Sequence, residues 1–197
     1  MIRHPMKTLL ILASASERRR KILSDLGVTF DVVIPRVEEI PHAGNPRRTA
    51  EENALRKSLW CRERHPDRFI ITADTTIGFD GRCIEKPVSM DEAAVFLRMF
   101  SGKTHTVFTA VGLSTPTAIP EVRLVESPVT FRALSDNDIR DYLSKVNPLD
   151  KAGAYDIDQH GDIIIRSFSG SRTNVMGLPA ELVGPWLREQ GLLDATR

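Results

Sequence analysis

The apolar positions of this chain fall into blocks with two different periods. Thr-Leu-Leu-Ile-Leu-Ala at 8–13 is a short continuous apolar run, which reads as a buried strand. Over 17–26 the period changes: Ile22, Leu23 and Leu26 share one helical face, and Gly27 ends the helix. Residues 30–35 read as a second strand. A polar loop at 36–48 follows, broken by Pro41, Gly44 and Pro46. The pattern then predicts a helix over 49–63, with Thr49 and Glu52 spaced as a capping box. Phe-Ile-Ile-Thr-Ala-Asp-Thr-Thr-Ile opens a strand over 69–79, and Asp80-Gly81 turns it into a short strand through Ile84.

In the second half, Ala93, Ala94, Leu97 and Phe100 line one side of a helix over 90–100 that Ser89 caps. Residues 104–113 and 122–133 alternate as a long antiparallel pair around a loose loop at 114–120. Ser135 caps a helix over 136–146, 163–168 is a strand, and 179–190 is the last helix. Parallel and antiparallel signals coexist, so the fold class is α/β with a mixed sheet and flanking helices.

Composition narrows the function classes. At 197 residues the chain is one large domain or two small lobes with a sizeable core. A formal net charge of +1 gives no global attraction to a nucleic-acid polymer or an acidic membrane, and no apolar run approaches a membrane span. The basic start at 1–7 leads into a short, interrupted apolar run, which reads as a first strand and not as a signal peptide. Cys61 and Cys83 match no zinc or redox spacing, and a reduced, cytoplasmic setting is the simplest expectation.

The candidate chemistry centres on Asp74, a carboxylate that ends an apolar run with Thr75 beside it. In open α/β sheets ligands sit beyond the carboxyl ends of strands. Lys86 follows the hairpin, and an acid and a lysine brought together suit a metal-bound phosphate. Ser14 and Ser16 lie between the first strand and first helix, where free backbone N–H groups favour an anion. Arg18, Arg19 and Arg20 oppose the helix dipole there, which a bound anion would relieve. Glu38 and Glu39 after the second strand are paired acids of the kind that can hold a divalent cation, although such pairs are more often simply solvated. Lys57 sits one helical turn after Asn53, and His105 reads as a structural histidine. The loops 150–155 and 170–179 are glycine-rich and suit the lining of a cleft.

Taken in order, these pieces resemble the Maf family of nucleotide pyrophosphatases from about Leu9 to Leu192. The family pattern Ser-x-Ser-Pro-Arg-Arg looks like the segment from Ser14 to Arg19, and its acid after the second strand matches Glu39. Its Ala-x-x-Lys helix matches Ala54 to Lys57, its Ala-Asp-Thr strand end Ala73 to Thr75, and its Lys-Pro pair Lys86-Pro87. Its Ser-Gly-x-x-His, Asp-Lys-Ala-Gly-Ala-Tyr and Gly-Ser-x-x-Asn-Val-x-Gly-Leu-Pro elements match the segments from Ser101, Asp150 and Gly170. The ordered set, more than any one motif, makes the resemblance specific.

The resemblance implies an elongated, twisted mixed sheet as a single domain over 1–197, with two lobes around a substrate cleft, and often a homodimer. It implies an enzyme that hydrolyses a nucleoside triphosphate to monophosphate and pyrophosphate with magnesium or manganese. Asp74 would be the general base and, with Glu39, the metal ligand. Ser14, Ser16, Arg18, Lys57 and Lys86 would bind phosphates, while Arg18, Thr75 and Asp158 would choose the base. Two departures stand out: Glu17 replaces the family proline, and Asp158 replaces a glutamine associated with thymidine and uridine triphosphates. An acid at 158 is closer to the branch acting on 7-methylguanosine triphosphate, so both base classes stay open. A nucleotide-binding regulator that keeps the fold and has lost turnover is the rival reading.

Overall fold

The computed structural model describes residues 9–193. Thr8 of the first expected strand and the basic start at 1–7 lie outside the described residues. One sheet carries the fold. Its strands are β1 (Leu10–Ala13), β2 (Asp31–Val33), β3 (Phe69–Phe79), β4 (Arg82–Ile84), β5 (Thr104–Ser114), β6 (Glu121–Phe131) and β7 (Ile165–Phe168). The spatial order is β2-β1-β3-β5-β6-β7, with β4 paired to the far end of β3. β1 pairs in parallel with β2 and β3, and every other pairing is antiparallel. The expected mixed α/β sheet is therefore present.

The helices are α1 (Glu17–Asp25), α2 (Pro46–Arg64), α3 (Met90–Phe100), α4 (Asp136–Lys145), α5 (Gly161–Ile164), α6 (Arg172–Val175) and α7 (Ala180–Glu189). Most ends agree with the sequence expectation to within two residues, and the larger differences have physical reasons. α2 starts at Pro46, not Thr49, because Asn45 accepts from Arg48 N at 3.0 Å and Pro46 loses nothing in a first turn whose N–H groups have no helical partner. The expected Thr49–Glu52 capping box is absent: Thr49 Oγ1 donates back to Asn45 O, and Glu52 meets His42 Nε2 at 2.8 Å. β2 keeps only three residues because its partner β1 has only four. Ile163 and Ile164 belong to α5, so β7 begins at Ile165, and α6 is a helical turn inside a segment read as a loop.

The two faces of the sheet are built differently. On one face α1, α3, α4 and α7 cover a large apolar core containing Leu10, Leu12, Ile71, Ile77, Phe100 and Tyr142. On the other, α2 lies close against the sheet through small residues: Ala50, Ala54 and Ala110 are fully buried. Gly112 makes that approach feasible, since a Cβ there would sit 2.1 Å from Ser58 Oγ and 2.3 Å from Thr72 Oγ1. Among the described residues no helix is long and apolar enough to cross a membrane.

His105 stands inside the large core, 2% exposed, against Phe100, Phe131 and Tyr155. Its Nε2 lies 2.8 Å from the Tyr155 hydroxyl, and burial holds the ring down to about 3 from its ordinary 6.5. Between those values the unfolded chain binds the proton and the folded chain does not. Stability is therefore full above pH 6.5 and falls as the solution is acidified toward 3, by up to about 1.4 kcal/mol per pH unit. Denaturant unfolding of wild type and His105→Gln between pH 7.5 and 5 should show the wild type losing the extra increment. Parallel pH dependences would refute it.

Candidate active site

The period of a strand places the first element of the site. Thr72, Asp74 and Thr76 occupy alternate positions of β3 and so share the face that meets α2. Each finds a partner there. Thr72 Oγ1 donates to Ala54 O at 3.0 Å, Thr76 Oγ1 donates to Pro46 O at 2.9 Å, and Asp74 Oδ1 accepts from Lys57 Nζ at 2.6 Å. The register matters, because β1 ends opposite Thr72 while β3 runs on, paired along its other edge with β5. Asp74 therefore lies just past the carboxyl end of β1. There the chain leaves β1 for β2 on one side and reaches β3 on the other, which opens a crevice between diverging connections.

Lys57 Nζ also donates to Glu39 Oε1 at 2.6 Å, so one ammonium bridges two carboxylates. Glu39 comes from the loop before α2, and that loop is pinned by Asn53: its Oδ1 accepts from Ile40 N at 2.8 Å and its Nδ2 donates to Ile40 O at 3.3 Å. Asn53 and Lys57, four residues apart on α2, thus fix the loop and bind its acid from one helix face. The two acids are shifted in opposite directions. Burial raises Asp74 above the ordinary carboxylate range, against the pull of Lys57. Burial also pushes Glu39 up, but Lys57, with help from Lys86 and Arg19, outweighs it and holds the more exposed Glu39 low.

The segment after β1 supplies the opposite wall. Ser16 caps α1, its Oγ accepting from Arg19 N at 3.4 Å, and Ser16 N donates to Ser14 Oγ at 3.2 Å. Arg19 turns beneath the cleft. Its guanidinium donates to Ser14 Oγ at 3.3 Å, Ala73 O at 2.9 Å, Thr75 Oγ1 at 3.0 Å and Gly177 O at 2.7 Å. One side chain thereby ties β1, β3 and the segment after α6 together. Burial lowers the Arg19 guanidinium, with Asp74 opposing the shift. Gly177 has φ +100, a conformation that leaves its carbonyl free to meet Arg19, and a Cβ there would sit 3.2 Å from Thr75 Oγ1.

These walls enclose a cleft of about 470 Å³ lined by Ser16, Arg18, Glu39, Lys57, Asp74, Thr75 and Lys86, among others. Ser14 lies behind it, bonded to Arg19. Asp158 does not line it: the carboxylate is exposed and pairs with Arg172 at 2.6 Å. Two groups in or beside this cleft were missed in the sequence. Arg19 is spaced with Ile22, Leu23 and Leu26 on one face of α1, and that period was the usable signal that separates it from Arg18. Asp156, almost inaccessible, meets Arg18 Nη1 at 3.3 Å and was passed over for Asp158. The spacing of Asn53 to Lys57 was a usable signal for the loop clamp.

The mixed sheet and its acid–lysine–acid bridge at the strand switch point define an α/β protein with a charged, polar cleft. The chain belongs to the Maf-like protein family, whose model matches residues 9–190. It is 39% identical over 170 residues to a dTTP/UTP pyrophosphatase of Akkermansia muciniphila, covering 86% of this chain and 89% of that one. A dTTP/UTP pyrophosphatase of Myxococcus xanthus is 38% identical over 187 residues, covering 94% of each. A solved structure of the Ham1 protein of Staphylococcus aureus superposes with TM-score 0.49 at 16% identity, covering 92% of this chain and 98% of that one.

Proposed function

We propose that this Maf-like protein hydrolyses a nucleoside triphosphate of the dTTP/UTP type to its monophosphate and pyrophosphate, the whole chain acting as one two-lobed domain around the cleft. The observation that carries this reading is the Lys57 ammonium held 2.6 Å from both Glu39 and Asp74 in a cleft at the strand switch point. Its relatives' activity supports the choice of reaction and of base class. The free thiols of Cys61 and Cys83 suit a reducing compartment, the cytoplasm.

A divalent cation fits the residues present. The lining holds four cationic side chains (Arg18, Arg19, Lys57, Lys86) and four anionic ones (Glu39, Asp74, Glu85, Asp150). The protein's own charges therefore cancel, and a triphosphate of about four negative charges needs further positive charge. Magnesium is commonly held by one or two carboxylates plus substrate phosphates and water, and Glu39 and Asp74, which both meet Lys57 Nζ at 2.6 Å, would supply such a pair. When bound, the ion would neutralise phosphate charge and make the attacking water more acidic.

In this reading Asp74 accepts the proton of a water whose oxygen attacks the α-phosphorus in line. The bond from the α-phosphorus to the bridging oxygen breaks, and pyrophosphate leaves with the electron pair. Burial suits Asp74 to the task, since a carboxyl raised above its usual range is the stronger proton acceptor. Lys57 and Lys86 neutralise phosphate oxygens. Ser16 offers its hydroxyl proton, and Ser14, already accepting two hydrogen bonds, holds the α1 turn in place. Arg18 and Thr75 face the base. Asp158, held by Arg172 outside the cleft, has no direct part in choosing it, and no observation favours the 7-methylguanosine class.

The test is product analysis with dTTP and UTP in magnesium or manganese. Equal amounts of monophosphate and pyrophosphate are expected, with the oxygen of isotopically labelled water in the monophosphate. Release of orthophosphate would refute attack at the α-phosphorus, and binding without turnover would establish the regulator reading. Lys86 makes no ion pair among the described residues, so Lys86→Ala should leave stability within about 0.5 kcal/mol while lowering kcat at least tenfold. Unchanged kinetics would return Lys86 to the solvent-exposed surface.

A further inference from the structure

The cations of the cleft are not equivalent. Lys57 is matched by two carboxylates at the reacting end, Arg19 is consumed by carbonyls and hydroxyls, and Lys86 is unpaired among the described residues. Arg18 alone among them is paired with a carboxylate from the far half of the chain, 138 residues away. That carboxylate, on Asp156, has a side chain only 1% exposed, against 28% for Arg18.

Asp156 is itself fixed on three sides. Its Oδ1 accepts from Asp158 N at 2.9 Å, its backbone N–H donates to the Tyr142 hydroxyl at 2.8 Å, and its Oδ2 takes the single contact to Arg18. A buried carboxylate with an amide on one oxygen and a guanidinium on the other is a rigid acceptor. Arg18 rises from the first turn of α1 and would otherwise swing in water. With one nitrogen bound, its remaining N–H donors stay available on a fixed plane.

The pair also changes what Arg18 can bind. Its charge is matched locally by Asp156, so it offers directed donors more than net charge. A polyphosphate is served better by Lys86, which has no carboxylate partner among the described residues, whereas fixed donors with little net charge suit the carbonyl oxygens of a base.

We propose that Asp156 is a positioning residue that holds Arg18 as a base-reading donor rather than a phosphate ligand, and so sets how sharply the protein discriminates among nucleotides. The inference rests on the pyrophosphatase reading for its substrate.

The experiment compares the full-length protein with Asp156→Asn, Arg18→Met and the double variant. It measures kcat and KM for dTTP, UTP, dCTP, dGTP and dATP, and inhibition by inorganic tripolyphosphate, which has no base. Asp156→Asn should shrink the ratio of kcat/KM between best and worst nucleotide at least tenfold, mainly through KM of the best. Inhibition by tripolyphosphate should stay within about twofold. In the Arg18→Met background, Asp156→Asn should change the ratio no further.

An unchanged ratio, an equal weakening toward tripolyphosphate, or full additivity with Arg18→Met would overturn the proposal. If Asp156→Asn does not fold, Asp156→Glu decides, since it keeps the charge and displaces the carboxylate. Wild-type discrimination in that variant overturns the proposal, and reduced discrimination supports it. A wild type without turnover on any nucleotide would refute the pyrophosphatase reading alone. The same ratios, read as dissociation constants by calorimetry, would then judge Asp156 by the same criteria, and an absence of nucleotide binding would overturn both.

Discussion

Asp74→Asn is expected to lower kcat by about a thousandfold or more while leaving the fold in place. The amide has the shape of the carboxylate and can still accept from Lys57, so the 2.6 Å contact that joins α2 to β3 has a neutral substitute. What it cannot do is accept a proton, and positioned general bases typically contribute about 10²–10⁴-fold. Lys57 keeps Glu39 as a counter-ion, so the variant leaves no bare buried charge. Steady-state kinetics on dTTP with parallel denaturant unfolding provide the check. Turnover within about tenfold of wild type would remove Asp74 as the base. Lost turnover with nucleotide affinity retained would place its contribution in the chemical step.

Arg19→Met should be the most damaging substitution for stability. The guanidinium donates to four acceptors on three separate segments: Ser14 Oγ, Ala73 O, Thr75 Oγ1 and Gly177 O. Methionine fills much of the volume and satisfies none of them. Buried acceptors left without donors cost about 1–3 kcal/mol each. The two carbonyls alone then imply a loss of about 2–6 kcal/mol, with the hydroxyls re-pairing locally, as Thr75 does with Thr109 at 3.0 Å. Arg19→Lys should recover only part, because one ammonium cannot reach both Ala73 and Gly177 in the geometry of the planar fork. Urea unfolding gives the measurement, and a loss below about 1 kcal/mol would show that the clamp contributes little.

Much of the architecture was legible because it rests on local rules. The period-2 strand over 69–79, the Asp-Gly hairpin and the Ser89 and Ser135 caps of α3 and α4 all appear where propensity and spacing put them. The start of α2 was misread because two caps compete within five residues. Asn45-Pro46 wins, since proline has no N–H to leave unpaired. The helical turn of α6 was hidden by its glycine-rich surroundings, although Ser171 caps it by accepting from Asn174 N at 2.9 Å.

The sequence by itself determined on which face of the sheet Asp74 stands. A carboxylate ending an apolar β-branched run has few ways to be stable, and β-strand alternation commits Asp74 to one face of the sheet wherever the rest of the chain goes. It could not determine which distant groups would hold Arg18 and Arg19, nor which of two acids two residues apart would turn inward. Arg19 is defined by a carbonyl 158 residues away, and Asp156 by a tyrosine on α4 and an arginine on α1. Asp158, two residues on, turns out to Arg172 instead. In an irregular segment no period fixes side-chain direction, so the choice passes to whichever donors the folded chain brings within hydrogen-bond reach. Only the tertiary structure brings them there.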